Sequence, residues 1–171
     1  MVGHGSHRTV QLALHRLADE GLLDRREYGP SKLYTFNREH LAADPILLLL
    51  SIRARLLDRL RSTIEQWELA PTHASLFGSA ARGDGDEHSD IDLLIVRSDK
   101  VDAEDEQWRS QIDDARQRVP RWTGNRAAVS ELSESDVLAL LAAPTPILDE
   151  LRADAVVLNG ASFSTYTDSL A

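Results

Sequence analysis

The chain of 171 residues contains no cysteine. It therefore has no disulfide framework, no thiolate nucleophile and no cysteine-based zinc site, and a reducing, cytoplasmic setting is expected. Long hydrophobic runs are missing as well. The longest, Ile46 to Leu50 and Val137 to Ala143, fall far short of the roughly 20 residues needed to cross a bilayer, so neither a membrane span nor a signal peptide is expected. Positive charge is in deficit too: the net charge of −9 argues against a protein that coats nucleic acid with one broad basic face. What is present, 42% hydrophobic and 27% charged residues, has the proportions of a folded globular protein of one ordinary domain or two small ones.

The charge is unevenly distributed. Residues 1–62 hold ten Lys/Arg and seven Asp/Glu, a balance of +3, whereas residues 63–171 hold nine and twenty-one, a balance of −12. Two modules are implied. Four of the six histidines, His4, His7, His15 and His40, fall in the first segment without a short His-x₃-His pairing. They read as surface or nucleic-acid-facing residues and not as metal ligands.

From Ser6, the pattern SHRTVQLALHRLADEGLL places Val10, Leu14 and Leu17 on one helical face, with Gly21 where a helix C′ residue belongs. LLDRREYG and SKLYTFN then form two strand-like runs meeting at Gly29-Pro30, a β-hairpin. This passage resembles the recognition helix and wing of bacterial winged-helix regulators. The resemblance implies DNA as a partner, with Ser6, His7, Arg8 and Gln11 at the groove-reading end of the helix and Arg25, Arg26 and Lys32 on the wing. It covers half such a domain, since two further helices, on the order of 25 to 40 residues, would precede it. Either the start lies upstream, or the module packs on its partner domain or on a second subunit in a homo-oligomer.

Asp44-Pro45 reads as an N-cap and N1 proline opening one long connector helix from Ile46 to about Trp67. Leu49, Leu56, Leu57, Leu60 and Ile64 form its apolar stripe, and Arg53, Arg55, Arg59 and Arg61 a solvated face.

The most specific segment is ASLFGSAARGDGDEHSDIDLLIV, residues 74–96. A short strand ending at Phe77 runs into Gly78-Ser79 and a small-residue helical turn, a junction where backbone can approach a phosphate closely. Arg82 either supplies a cation there or ties the turn to an acidic neighbour. Asp90-Ile91-Asp92 opens the most apolar strand of the chain. Alternation puts both carboxylates on one face, with Cα atoms about 6.5 to 7 Å apart. Like charges held so close invite a cation, and Mg²⁺ takes a few carboxylates together with substrate phosphates.

Gly78-Ser79, ten residues, then Asp90-x-Asp92, with Ala81-Arg82-Gly83 and Ser89-Asp90-Ile91-Asp92-Leu93 around them, resembles the signature of minimal nucleotidyltransferases of the DNA polymerase β superfamily. The resemblance implies an α+β fold with a mixed sheet flanked by helices. It also implies an NTP held by Gly78 and Ser79, with Arg82 and Ser89 beside them, and two Mg²⁺ ions held by Asp90 and Asp92. The implied activity is transfer of an NMP to a hydroxyl acceptor. Minimal members of this family often act as antitoxins that modify a small helical partner, so a toxin-like protein is one expected acceptor. The alternative is a DNA-binding regulator whose nucleotidyltransferase-like domain senses nucleotide without turning it over.

Such enzymes usually carry a third carboxylate on a later strand. Here that strand is read as Arg126 to Leu132, with Ala128 at the usual acidic position. Glu131, its only acid, is the candidate for the third catalytic carboxylate, although three positions on it points to the opposite face unless a bulge intervenes. Further along, Ala103 to Val119 reads as a helix with Trp108, Ile112, Ala115 and Val119 in the core, and Pro120 to Asn125 as a loop. Ser133 with Asp136 reads as a capping box. Pro144 and Pro146 break that helix, Ile147 to Arg152 forms another, and Ala155 to Leu158 a last strand. The expected organisation is a partial winged helix over residues 1–41, a connector over 42–70, a nucleotidyltransferase domain over 71–160 and a polar, mobile tail over 161–171, with Tyr166 an available hydroxyl in that tail.

Overall fold

A computed structural model describes residues 6–143 and 145–170. His4, Pro144 and Ala171 lie outside the described residues, and with them the expectations placed on these positions. The chain divides into two units, one up to Ile52 and one from Arg53 onward.

In the first unit, α1 (His7–Asp19) is capped by Ser6, whose hydroxyl accepts from the Thr9 N–H. The helix ends as Gly21 requires. Gly21 takes a φ of +78°, its N–H donates to the Ala18 carbonyl at 3.0 Å, and the Leu22 N–H donates to the Leu17 carbonyl at 2.9 Å. These paired bonds form a Schellman stop. β1 (Leu23–Tyr28) and β2 (Ser31–Phe36) pair antiparallel about Gly29-Pro30. Of the expected winged helix, the structure gives this one helix and one hairpin.

The expected connector is not continuous. α2 (Ala43–Leu50) closes at Ser51, whose N–H donates to the carbonyls of Leu47 and Leu48, and whose hydroxyl donates to the Leu48 carbonyl at 2.7 Å. α3 (Ile52–Glu65) starts afresh beyond it. The cap of α2 is Ala42 and not Asp44, which sits in the first turn. The imidazole of His40 accepts from the Ala42 N–H just ahead of the helix, and no side chain caps α2.

The second unit is built on a four-stranded mixed sheet in the order β5-β4-β3-β6. β3 (His73–Phe77) runs antiparallel to both β4 (Ile91–Arg97) and β6 (Val156–Asn159), while β5 (Ala127–Ser133) runs parallel to β4. A parallel neighbour demands a crossover, and α5 (Glu106–Thr123) supplies it. α5 runs through Pro120 to Thr123, so the expected loop after Val119 is helical.

Helices cover both faces of the sheet, which explains why β4 is apolar nearly throughout. On one face, Leu76, Leu93 and Ile95 pack with Leu57, Leu60 and Ile64 of α3 and with Trp108, Ile112 and Val119 of α5. Trp67 meets Trp108 edge to face at 5.8 Å. On the other, Phe77, Leu94 and Val96 pack against α6 (Glu134–Ala142), α7 (Pro146–Asp154) and α8 (Phe163–Leu170). The capping box of Ser133 and Asp136 opens α6.

The sequence expectation fails at the chain's end, where the polar tail is α8. Ser162 caps it, accepting from Thr165, and Phe163, Tyr166 and Thr167 are buried. Tyr166 stacks on His73 at 5.0 Å and its hydroxyl shares a hydrogen bond with Thr72. It is a core residue, not an available acceptor.

Candidate active site

The site lies where β3 ends beside the start of β4. Phe77 pairs with Asp92 across the antiparallel ladder, so the residue after Phe77 is brought against that carboxylate. This residue is Gly78, with a φ of +68°. A Cβ there would overlap Asp92 Oδ2. Glycine is therefore required twice, by its backbone conformation and by the close approach.

From Gly78 the chain makes one short helical turn, α4 (Gly78–Arg82), closed by Gly83, whose N–H donates to the Ser79 carbonyl at 2.8 Å. Arg53 fixes its far end, donating Nε to the Ala80 carbonyl at 3.1 Å and Nη2 to that of Ala81. The arginines of α3 lie on an exposed face as expected, with Arg53, Arg55 and Arg59 exposed and Arg61 half-buried, but three of them also make specific contacts. Arg53 caps the site's turn, Arg61 donates to the Val157 carbonyl, and Arg59 lies over the Trp122 ring. Arg82 takes the second of its two expected roles. Its guanidinium reaches Asp84 at 3.3 Å and Asp154 of α7 at 3.5 Å, tying the turn to acidic neighbours.

The loop from Asp84 to Ser89 is ordered by its own side chains. Ser89 Oγ donates to Asp86 Oδ1 at 2.9 Å and accepts from the Asp86 N–H, and the His88 N–H also donates to Asp86 Oδ1. These bonds, the Ser89 hydroxyl foremost, hold the Asp86 carboxyl below its ordinary pKa. Asn125 staples the loop from outside, its Nδ2 donating to the carbonyls of Asp86 at 3.0 Å and Ser89 at 2.7 Å.

Asp90 precedes β4 and Asp92 is its second residue. Burial pushes the Asp92 pKa up, the negative charges of Asp90 and Glu150 push it further, and Arg82 offsets part of this. Asp90 is met by Arg126, with Nη2 to Oδ2 at 3.3 Å. Among the described residues no set of three or more His, Asp or Glu gathers as a metal cage, so Asp90 and Asp92 stand as a pair.

Glu131 is not brought to them. In the parallel register Asp92 faces Ala128, whereas Glu131 faces Ile95. Its carboxylate turns to the α5 side of the sheet, accepting from Trp108 Nε1 at 2.7 Å and lying 3.6 Å from Arg97 Nε. An odd spacing on a regular strand leaves no other outcome.

The structure thus brings together Gly78, Ser79, Asp90 and Asp92, with Arg82 and Ser89 engaged in holding the turn and the loop. Asn125 and Arg126 were missed as site residues. The one signal for Arg126 was that it stands two residues before Ala128, on the same strand face. In the first unit, Ser6 spends its hydroxyl on the helix cap, and His7, Arg8 and Gln11 follow on the exposed first turns of α1. Arg25 and Arg26 pair with Tyr34 and Leu33 in the hairpin, and Lys32 approaches His15 at 3.4 Å.

Comparison with known proteins bears on the second unit. Residues 57–123 match the family model described as a nucleotidyltransferase domain. Among solved structures, the chain is similar to one from a toxin–antitoxin with AMP-PNP, at 15% identity and a TM-score of 0.44, over 67% of this chain and 82% of that one. A mutant of the toxin–antitoxin MntA-HpeT aligns over the same shares at 14% identity and a TM-score of 0.44. No curated protein matches. Gly78, Ser79, Asp90 and Asp92 all lie inside the stretch that matches the nucleotidyltransferase domain.

Proposed function

We propose that this protein transfers a nucleoside monophosphate from an NTP to a hydroxyl acceptor, using Mg²⁺ held by Asp90 and Asp92. The observation that carries this reading is the packing of Gly78 against Asp92. It sets the turn after β3 directly against one carboxylate of the pair, and the family match to residues 57–123 supports the reading.

The residues present suit a divalent ion. Two carboxylate oxygens are the donors Mg²⁺ takes, and burial first and then the charge of Asp90 raise the Asp92 pKa, a cost of ionisation that a bound cation offsets. When bound, Mg²⁺ supplies charge stabilisation at the phosphoryl oxygens. The chain's own residues do the rest. Gly78, lacking a Cβ, lets the Asp92 carboxylate lie against the turn, and Ser79 adds a hydroxyl donor for the triphosphate. Arg53 and Arg82 hold the turn still, and Asn125 fixes the loop that leads into Asp90. In the reaction the acceptor oxygen attacks the α-phosphorus, the bond to the bridging oxygen breaks, pyrophosphate leaves and the hydroxyl proton is released.

The favoured acceptor is a protein hydroxyl, in keeping with the antitoxin-like members that the motif resembles. A second reading has an observation of its own, because Ala128 stands opposite Asp92 where a third carboxylate would serve catalysis. On that reading the site senses nucleotide for a DNA-contacting α1 and hairpin. Incubation of the protein and Mg²⁺ with α-phosphate-labelled NTPs and total cell protein separates the two. Transfer predicts label in a protein band that is lost with Asp92→Asn, whereas nucleotide binding with no label in protein or nucleic acid supports the sensor.

A further inference from the structure

The third strand contributes something other than a carboxylate to the dyad's face. β5 lies parallel to β4 with Ile91 opposite Ala127 and Asp92 opposite Ala128. The Ile91 N–H donates to the Arg126 carbonyl at 2.8 Å, carrying the alignment one step further, to Asp90 beside Arg126. The side chains that β5 offers to Asp90 and Asp92 are therefore those of Arg126 and Ala128, one a guanidinium and one a methyl group. The guanidinium is engaged, 3.3 Å from Asp90 Oδ2.

The two arginines flanking the pair, Arg82 and Arg97, are committed elsewhere. Arg82 is bound to Asp84 and Asp154, and Arg97 lies toward Glu131 on the opposite face of the sheet. Arg126 is 78% exposed through its side chain and, among the described residues, has no other ion pair. It is anchored through its backbone, and the contact with Asp90 is the one that holds its tip among the described residues.

Electrostatics then limits the metal count. Asp90, Asp92 and Arg126 carry a net charge of −1, and Glu150 and Arg82, the other two charges that act on Asp92, are of opposite sign, which leaves enough for one divalent ion beside a triphosphate. A second ion would lack a third carboxylate, since Ala128 stands opposite Asp92, and would compete with the Arg126 guanidinium for the same oxygens. A guanidinium is itself suited to phosphate oxygens, to which it can donate two parallel hydrogen bonds.

We propose that this site works with one divalent ion per nucleotide, and that Arg126 takes the place of the second by turning from Asp90 to the triphosphate. The inference rests on the nucleotidyltransfer reading above and departs from the two-ion expectation drawn from the sequence.

The test counts metal, not product. Mn²⁺ is titrated by electron paramagnetic resonance into the full chain with α,β-methylene analogues of the four NTPs, and bound Mn²⁺ is divided by bound nucleotide. The wild type is expected to give one. Arg126→Ala should keep that ratio and bind nucleotide about tenfold more weakly, the order expected for one lost charged hydrogen bond, and Arg126→Lys should recover part of the loss. Arg126→Ala combined with Ala128→Asp should give two. Circular dichroism establishes that each variant is folded, and Arg126 is exposed enough for its replacement to leave the core intact.

Two Mn²⁺ per nucleotide in the wild type, or unchanged affinity in Arg126→Ala, overturns the inference while leaving nucleotidyltransfer in place. Failure of the wild type to bind any of the four analogues overturns both.

Discussion

Gly78 and Asp92 are packed so closely that the glycine has no room for a side chain: a Cβ built on its backbone overlaps the carboxylate oxygen. This one approach joins the turn after β3 to the start of β4. It makes a local backbone conformation and the placement of a charged side chain a single feature.

Gly78→Ala should therefore damage both fold and site. The left-handed φ of +68° costs an alanine about 1–2 kcal/mol, and Asp92 must shift to relieve the overlap. The expected result is a melting midpoint lowered by about 4 °C or more, with Mg²⁺-dependent nucleotide binding lost at temperatures where the protein is still folded. Thermal melts paired with calorimetry check it.

Asp92 should weigh against the fold whenever it is ionised without a cation. Its pKa is raised by burial and then by Asp90, so the folded chain holds this proton more tightly than the unfolded one. That stability is present below the ordinary carboxylate range and lost as pH rises through the raised value. In chelator at neutral pH, Asp92→Asn should raise the melting midpoint. The gain should shrink as the medium is acidified. An Asp92→Asn variant less stable than the wild type under these conditions would count against the strained pair.

His73 governs the acid limit of the fold. It is fully buried between Phe163 and Tyr166. Burial lowers its pKa from 6.5 to about 4, offset in part by the backbone of Ala161. The unfolded chain takes up this proton near pH 6.5 and the folded one near pH 4, so stability falls between those values, by about 3 kcal/mol at 1.36 kcal/mol per unit. His73→Phe should flatten the melting midpoint over that interval; an unchanged acid slope would show that other groups set it.

Glu131 should matter for stability and not for chemistry. Its carboxylate accepts from Trp108 Nε1, a hydrogen bond to a charged group whose loss costs about 1.5–3 kcal/mol. Glu131→Ala should lower the denaturation midpoint by a corresponding amount and leave the transfer rate of the folded protein within about twofold of wild type, a change under about 0.5 kcal/mol. A large loss of rate without loss of stability would return Glu131 to the site.

Features whose causes are local were legible in the sequence. Gly21 stops α1, Gly29-Pro30 turns the hairpin, and Ser133 with Asp136 boxes the start of α6, because each is decided within six residues. The mixed sheet was legible only as what the motif's resemblance implied. Distant partners were not legible. Arg53 finds its acceptors 27 and 28 residues away, Arg61 finds Val157 at 96, and Arg126 finds Asp90 at 36. Such pairings exist only once the sheet order is known.

The tail misled for another reason. Its serines and threonines suggest solvent, yet Ser162 is a helix cap and Phe163, Tyr166 and Leu170 repeat at helical spacing. Polar residues at a chain end hid an amphipathic helix. The connector misled in the opposite sense, its apolar stripe running on in sequence while Ser51 turned its N–H and hydroxyl back onto α2.

The measurement that bears most directly on the nucleotide site is calorimetric titration of ATP, GTP, CTP and UTP with Mg²⁺ into the wild type and Asp92→Asn. The account predicts that at least one nucleotide binds the wild type only when Mg²⁺ is present, and that Asp92→Asn abolishes this binding while remaining folded. Equal binding by the variant, or no binding of any of the four by the wild type, would contradict it.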